Sequence, residues 1–184
     1  MAHSDPRGPA LGPDQQGGDP LCDLAHGIGE TPDADRTLVA VFASPVAGYL
    51  LHFGRHLGFR TILVDPVPAA DPPPADEVVT ALDKSFVDGT ADVVVTDHDR
   101  PELGALLRDA LALPARWIGV MGSIRHTAPH VAALRDLGMS EADIARVHRP
   151  IGLNIGSHTP PEIAVSTLAG LLANRTGRPG GFAF

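Results

Sequence analysis

This chain of 184 residues is poor in cysteine, lysine and aromatic rings, and it has no apolar run of membrane-spanning length. Its one cysteine, Cys22, cannot close an internal disulfide, so a reducing compartment is expected. Lys84 is the only lysine among 14 basic residues, a skew that reads as codon bias rather than chemistry. Clustered Lys and Arg are what displace counterions from a polyphosphate, and their absence argues against a nucleic-acid partner. The longest apolar run, Leu38 to Leu51, is interrupted by Ser44, Pro45 and Gly48, whereas a membrane helix needs about 20 apolar residues. No apolar segment stands behind a basic start as in a secretory leader, so the expectation is a cytoplasmic protein without a membrane contact.

What the chain has in surplus is glycine and proline, 20 and 18 residues, 11 of them within residues 1–36. That stretch also carries −5 of the net charge of −8 and shows neither strand nor helix periodicity. So few large apolar groups cannot offset the entropy of ordering, and residues 1–36 are expected to form a disordered or loosely attached acidic tail. Residues 37–177 are expected to form one domain, and 178–184 a short C-terminal tail.

From Thr37 the pattern changes. Thr37 to Ala43, Asp92 to Thr96 and Arg116 to Met121 are apolar runs of strand length, as in strands buried on both faces. Thr61 to Val64 is a further strand, and Asp76 to Gly89 holds at most a short edge piece. Helical spacing runs from Pro45 to Leu57 and from Leu103 to Leu111, the second with Asp99 as its expected N-cap. Helices are also expected at about 127–137, 140–147 and 159–175, and a last short strand within 148–153. Thr159-Pro160-Pro161-Glu162 combines a capping box with proline in the first turn. Such alternation predicts an α/β fold, a Rossmann-like doubly wound and mostly parallel sheet with helices on both faces.

In that architecture ligands bind beyond the carboxyl ends of the strands. The first turn, Phe42-Ala43-Ser44-Pro45, has no glycine where a dinucleotide fold needs backbone to approach pyrophosphate, and Pro45 removes an N–H. Asp65, at the end of the second strand, matches the acid that holds a ribose, or it simply opens an Asp-Pro turn. Asp97-His98-Asp99 is either an acid-oriented histidine or a helix cap with neighbours. Gly122-Ser123-Ile124-Arg125 can present N–H groups, a hydroxyl and a cation to an anion, or can be a cap with a surface arginine. Gly156-Ser157-His158-Thr159 leads into a capped helix and is either an anion site or a plain loop. His52/His56 and His126/His130 stand at i, i+4, but no local carboxylate or cysteine completes a zinc set, so solvated helix faces are the better reading.

Two runs carry a specific resemblance. Trp117-Ile118-Gly119-Val120-Met121-Gly122-Ser123-Ile124-Arg125, and the stretch from Leu137 through Pro150-Ile151-Gly152-Leu153 and Thr159-Pro160-Pro161-Glu162 to Ser166, closely resemble the C-terminal Rossmann domain of the XdhC/CoxI family. The resemblance spans roughly Leu38 to Arg175. It implies an accessory role in maturation of a molybdenum hydroxylase of the xanthine or carbon monoxide dehydrogenase type. The molybdenum cofactor, molybdopterin, would be held without turnover chemistry, and the partners would be the hydroxylase subunit and a sulfurtransferase. The family's glycine-alanine-glycine-histidine turn falls on Phe42, Ala43, Ser44 and Pro45, and its threonine-histidine-aspartate on Thr96-Asp97-His98-Asp99. The family's N-terminal domain has no counterpart in these residues and is expected from another polypeptide. Joining the strand-end reading to the resemblance, the expected cofactor site comprises Ser44, Asp65, Asp97, His98, Gly122, Ser123, Arg125, Gly156, Ser157 and Thr159. The alternatives are a small oxidoreductase binding NAD(P) or another nucleotide through Asp65, and a scaffold or dimerisation module. A homodimer is the base-rate expectation for so small a domain.

Overall fold

Thr37–Val41 is buried along its whole length because it is the central strand, β1, with apolar layers on both sides. The computed structural model describes residues 36–123 and 127–181. The expected loose tail with Cys22, together with Arg125 and His126, lies outside the described residues. After β1 come α1 (Pro45–His56), β2 (Arg60–Val64), β3 (Glu77–Val79), β4 (Ala91–Val95), α2 (Leu103–Ala112), β5 (Trp117–Val120), α3 (Pro129–Asp136), α4 (Glu141–Ile144), β6 (Val147–His148) and α5 (Pro160–Arg175). Every strand pair is parallel, and the order is β3-β2-β1-β4-β5-β6. That is the doubly wound order of the Rossmann fold, with the switch point between β1 and β4.

Period-2 alternation along β1 divides the core. Leu38 and Ala40 pack with Leu50 and Leu51 of α1 and Leu168 and Leu171 of α5. Val39 and Val41 face the opposite layer, where Leu107 of α2, Leu134 of α3 and Ile144 of α4 cover the sheet. Helices therefore lie on both faces, as expected.

Beneath the amino ends of the strands, the fully buried Asp92 of β4 holds two arginines. Arg116 Nε donates to its Oδ1 at 2.6 Å and Arg175 Nε to its Oδ2 at 2.8 Å. This links β4, the start of β5 and the end of α5 through one carboxylate.

Three local expectations need correction. Asp99 does not cap α2: that helix starts at Leu103, with Glu102 in the cap position making no side-chain capping bond, while the Asp99 N–H donates to Asp97 Oδ1 at 3.0 Å. The helix expected at 140–147 stops at Ile144, because Val147 pairs with Ile118 of β5. The last strand is consequently Val147–His148 rather than a piece of 148–153. Gly152, at φ 85°, lets the next loop lie on α5, where an added Cβ would come within 2.5 Å of Ser166 Oγ. The capping box of α5 is present as read.

Candidate functional site

The switch-point crevice over β2, β1 and β4 is filled by the chain itself. Phe42 follows β1 with φ 74°, a left-handed conformation that costs a non-glycine residue about 1–2 kcal/mol. The glycine that the resemblance expects here would adopt it without strain. Phe42 is held there by its fully buried ring, by its N–H to the Val64 carbonyl (2.8 Å), and by a carbonyl that accepts from Thr96 Oγ1 (2.9 Å). Arg100, in the loop after β4, stacks its guanidinium 4.8 Å from the Phe42 ring and pairs with Asp65 at 3.4 Å.

Asp65 is buried, and both its oxygens are engaged within the fold. Oδ2 accepts from the Ala43 N–H (2.9 Å); Oδ1 accepts from the Val67 N–H (3.1 Å) and from Arg100. Both readings of Asp65 in the sequence, ribose ligand and turn opener, overlook this work across β1 and β4. Ser44 is the N-cap of α1: its Oγ accepts from the Ala47 N–H at 3.0 Å and donates to Thr96 Oγ1 at 3.0 Å.

The second cleft lies beyond β4 and β5. It encloses about 490 Å³ and is lined by His98, Asp99, Ser123, Thr127 and Pro129. His98 and Ser123, read separately from the sequence, are thus brought together. His98 Nε2 stands 3.8 Å from Asp99 Oδ1, and the Asp99 side chain is 87% exposed. Asp97 turns its carboxylate to the Asp99 backbone rather than to His98.

Gly122, the neighbour of Ser123, lies against Arg149, the residue after β6 and not one of those lining the cleft. A Cβ at Gly122 would meet Arg149 Nε at 2.6 Å, so glycine is required for the guanidinium to lie there. Arg149 Nη2 donates to the Ser123 carbonyl at 3.0 Å, while its Nε is buried with no hydrogen-bond partner. The buried His130 of α3, whose Nδ1 also has no partner, has its pKa pushed down by burial and then by the Arg149 charge. The sequence reading placed Arg149 inside a strand and so passed over it. Its position one residue beyond a strand's carboxyl end is the signal that finds it.

Gly156, Ser157 and Thr159 do not line that cleft. The start of α5 already holds an anion of its own: Glu162 Oε2 accepts from the N–H groups of His158 (2.8 Å) and Thr159 (3.0 Å), which lower its pKa. A third depression, about 230 Å³, lies between α5 and the Trp117–His148 pair, whose rings stack at 5.1 Å. Among the described residues no group of three or more His, Cys, Asp and Glu could hold a metal ion, and no helix is long and apolar enough to cross a membrane.

Comparison with known proteins agrees with this fold. A family model described as the XdhC Rossmann domain matches residues 38–171. Over 89 residues, 48% of the chain, 38% of positions are identical to a protein of Escherichia coli (strain K12) described as uncharacterized protein YqeB. The chain spans 16% of that curated relative's length. Among solved structures, one from Bacillus halodurans described as a xanthine dehydrogenase superposes with a TM-score of 0.63 at 24% identity. The match covers 81% of this chain and 45% of that one. At that identity the likeness establishes a common fold.

Proposed function

The chain belongs to the XdhC Rossmann domain family, and from that premise we propose that it is an accessory module for a molybdenum hydroxylase of the xanthine dehydrogenase type. In this reading it holds the phosphate-bearing pterin of the molybdenum cofactor, or the apo-enzyme that receives it, without turnover of its own. The observation that carries the reading is the division of the carboxyl edge. The nucleotide half is closed by Phe42, Arg100 and Asp65, while the β4–β5 half keeps a polar cleft. The residues of that cleft suit a pterin phosphate: His98, Ser123 and Thr127 can donate or accept hydrogen bonds, and α3 begins at its rim with Pro129.

When bound, the cofactor supplies the redox chemistry of the hydroxylase. The chain's own residues bind and orient. His98, with Asp99 beside it, can hold a proton at Nε2 and so present a donor to an anionic group. A sulfurtransferase and a separately encoded N-terminal-type domain are the further partners this role calls for, and it places the protein in the cytoplasm.

Fluorescence titration of the purified chain with molybdopterin, paired with co-purification against a xanthine dehydrogenase apo-subunit, tests the role. Saturable binding in either arm is expected; failure of both overturns it. The nucleotide alternative draws on the strand order and on Asp65. It predicts NADPH binding that disappears in Asp65→Ala, whereas the closed crevice predicts none. A scaffold role predicts a dimer whose melting temperature no pterin or nucleotide alters.

A further inference from the structure

Beside the edge strand β6, the depression of about 230 Å³ between α5 and the Trp117–His148 pair holds hydrogen-bond donors that the chain leaves without acceptors. Thr167 of α5 lines it and is only 2% exposed, yet its hydroxyl has no hydrogen bond among the described residues. Asn174, two turns further along α5, turns its Oδ1 to Arg116 Nη1 at 2.8 Å. A guanidinium only donates, so the NH2 of that amide is the end left over. Arg178, just beyond α5, has no ion pair and no side-chain hydrogen bond among the described residues. None of the residues lining the depression is a carboxylate. A hydroxyl withdrawn from water without a partner, and an unpaired guanidinium on the same wall, favour an incoming acceptor, above all a charged one.

The rest of the lining is apolar. Trp117 and His148 come from the paired strands β5 and β6 and stack within 5° of parallel, and Ile151, Leu153 and Leu171 extend the apolar surface. Gly119 lets the Trp117 ring lie across β5, since an added Cβ would strike it. Burial, and then the Arg116 charge, keep the His148 pKa below its ordinary value of 6.5, so its ring stacks as the neutral form at pH 7. The volume falls short of the roughly 300–1,000 Å³ of pockets that take drug-sized ligands, which suits a molecule of one ring. Thr167 and Asn174 stand about 10 Å apart along the helix axis, the reach of a ring with a polar group at each end.

We propose that this depression binds a small aromatic carboxylate with a second polar group on its ring. The carboxylate is held by Asn174 and Arg178, the ring lies against the Trp117–His148 pair, and the ring substituent accepts from the Thr167 hydroxyl. The site shares no lining residue with the β4–β5 cleft and does not rest on the role proposed for that cleft.

Trp117 is the only tryptophan of the chain, so its fluorescence reports on this depression. The test titrates the full chain with 4-hydroxybenzoate, benzoate and acetate at matched ionic strength, with calorimetry as the second readout. Saturable binding of both aromatic acids is expected, tighter for 4-hydroxybenzoate, with no response to acetate. Arg178→Gln, at an exposed position beyond the helix, should weaken both aromatic acids about threefold or more. Thr167→Val exchanges the hydroxyl for a methyl and should weaken 4-hydroxybenzoate about threefold to tenfold while leaving benzoate unchanged. Arg108→Gln, an exposed residue paired with Asp109 on α2, should alter neither.

No saturable response to either aromatic acid, an equal response to acetate, or wild-type affinities in Arg178→Gln would each overturn the site. Wild-type preference for 4-hydroxybenzoate over benzoate in Thr167→Val would overturn it as well. Should Thr167→Val fail to fold, Arg178→Gln and the acetate control still decide.

Discussion

The crevice over β2, β1 and β4 and the cleft over β4 and β5 share a strand and a backbone plan, yet their arginines meet different fates. Arg100 reaches back over β1 to Asp65 and lies on Phe42, so the first site is closed by its own ion pair. Arg149 lies against Gly122, and its recorded partner among the described residues is the Ser123 carbonyl. A strand-end pocket is structural where the protein supplies the counter-charge and is available to a ligand where it does not. The amino end of the sheet marks the structural extreme, since Asp92 consumes both Arg116 and Arg175.

That extreme sets the scale of expected effects. Asp92→Ala leaves two guanidinium groups without their buried carboxylate and should cost about 3–5 kcal/mol in urea unfolding. Molybdopterin binding by the folded protein should not change, since the substitution lies at the opposite end of the strands.

Asp65→Ala probes the closed crevice. It removes the acceptor of the Ala43 N–H and the partner of Arg100, and should cost about 2 kcal/mol. An unchanged denaturation midpoint, together with wild-type NADPH binding lost in the variant, would mean that the crevice serves a ribose and would break the comparison. Ser44→Ala is milder, about 1 kcal/mol for a lost N-cap, with ligand affinity preserved. Lost affinity would move Ser44 from the scaffold into the site.

The smallest effect is a pH dependence. Burial, and then Arg149, keep the His130 pKa below its ordinary value of 6.5. The unfolded chain therefore takes up the proton first as pH falls past 6.5, and the fold loses stability until the lowered folded pKa is reached. His148 shifts in the same direction through burial and Arg116. Glu162 and Asp76, whose pKa values are lowered mainly by backbone N–H donors, lose their contribution only in more acid solution. The unfolding free energy, read from denaturation curves, should fall by about 1 kcal/mol or less between pH 7 and 5.5. His130→Gln should flatten that slope; equal slopes would show that neither burial nor Arg149 lowers the His130 pKa in the folded chain.

The strands and helices were legible because each is written in contiguous residues. The apolar run at Thr37–Val41 can be buried only between two layers, and Thr159-Pro160-Pro161-Glu162 starts a helix with its own atoms. Legibility failed where a remote partner decided. Ile144 ends a helix because Val147 is claimed by β5, and Asp99 loses its capping role because α2 begins four residues later. In the site, His98 and Ser123 were found from their positions after strands. Phe42 and Arg100 were not, because neither a left-handed phenylalanine nor an arginine stacked on it leaves a local pattern, and Arg149 was hidden by misplacing the last strand.

The sequence by itself determined the alternating architecture, the family and the absence of a glycine turn after β1. Each is a property of neighbouring residues, whose spacing fixes periodicity, caps and motif. Only the tertiary structure decided which pocket is closed. The contacts responsible join Ala43 to Asp65, Asp65 to Arg100 and Ser123 to Arg149, 22, 35 and 26 residues apart. Charge neutralisation depends on distances of a few ångströms, and those are set by how the strands line up rather than by any residue's neighbours in the chain.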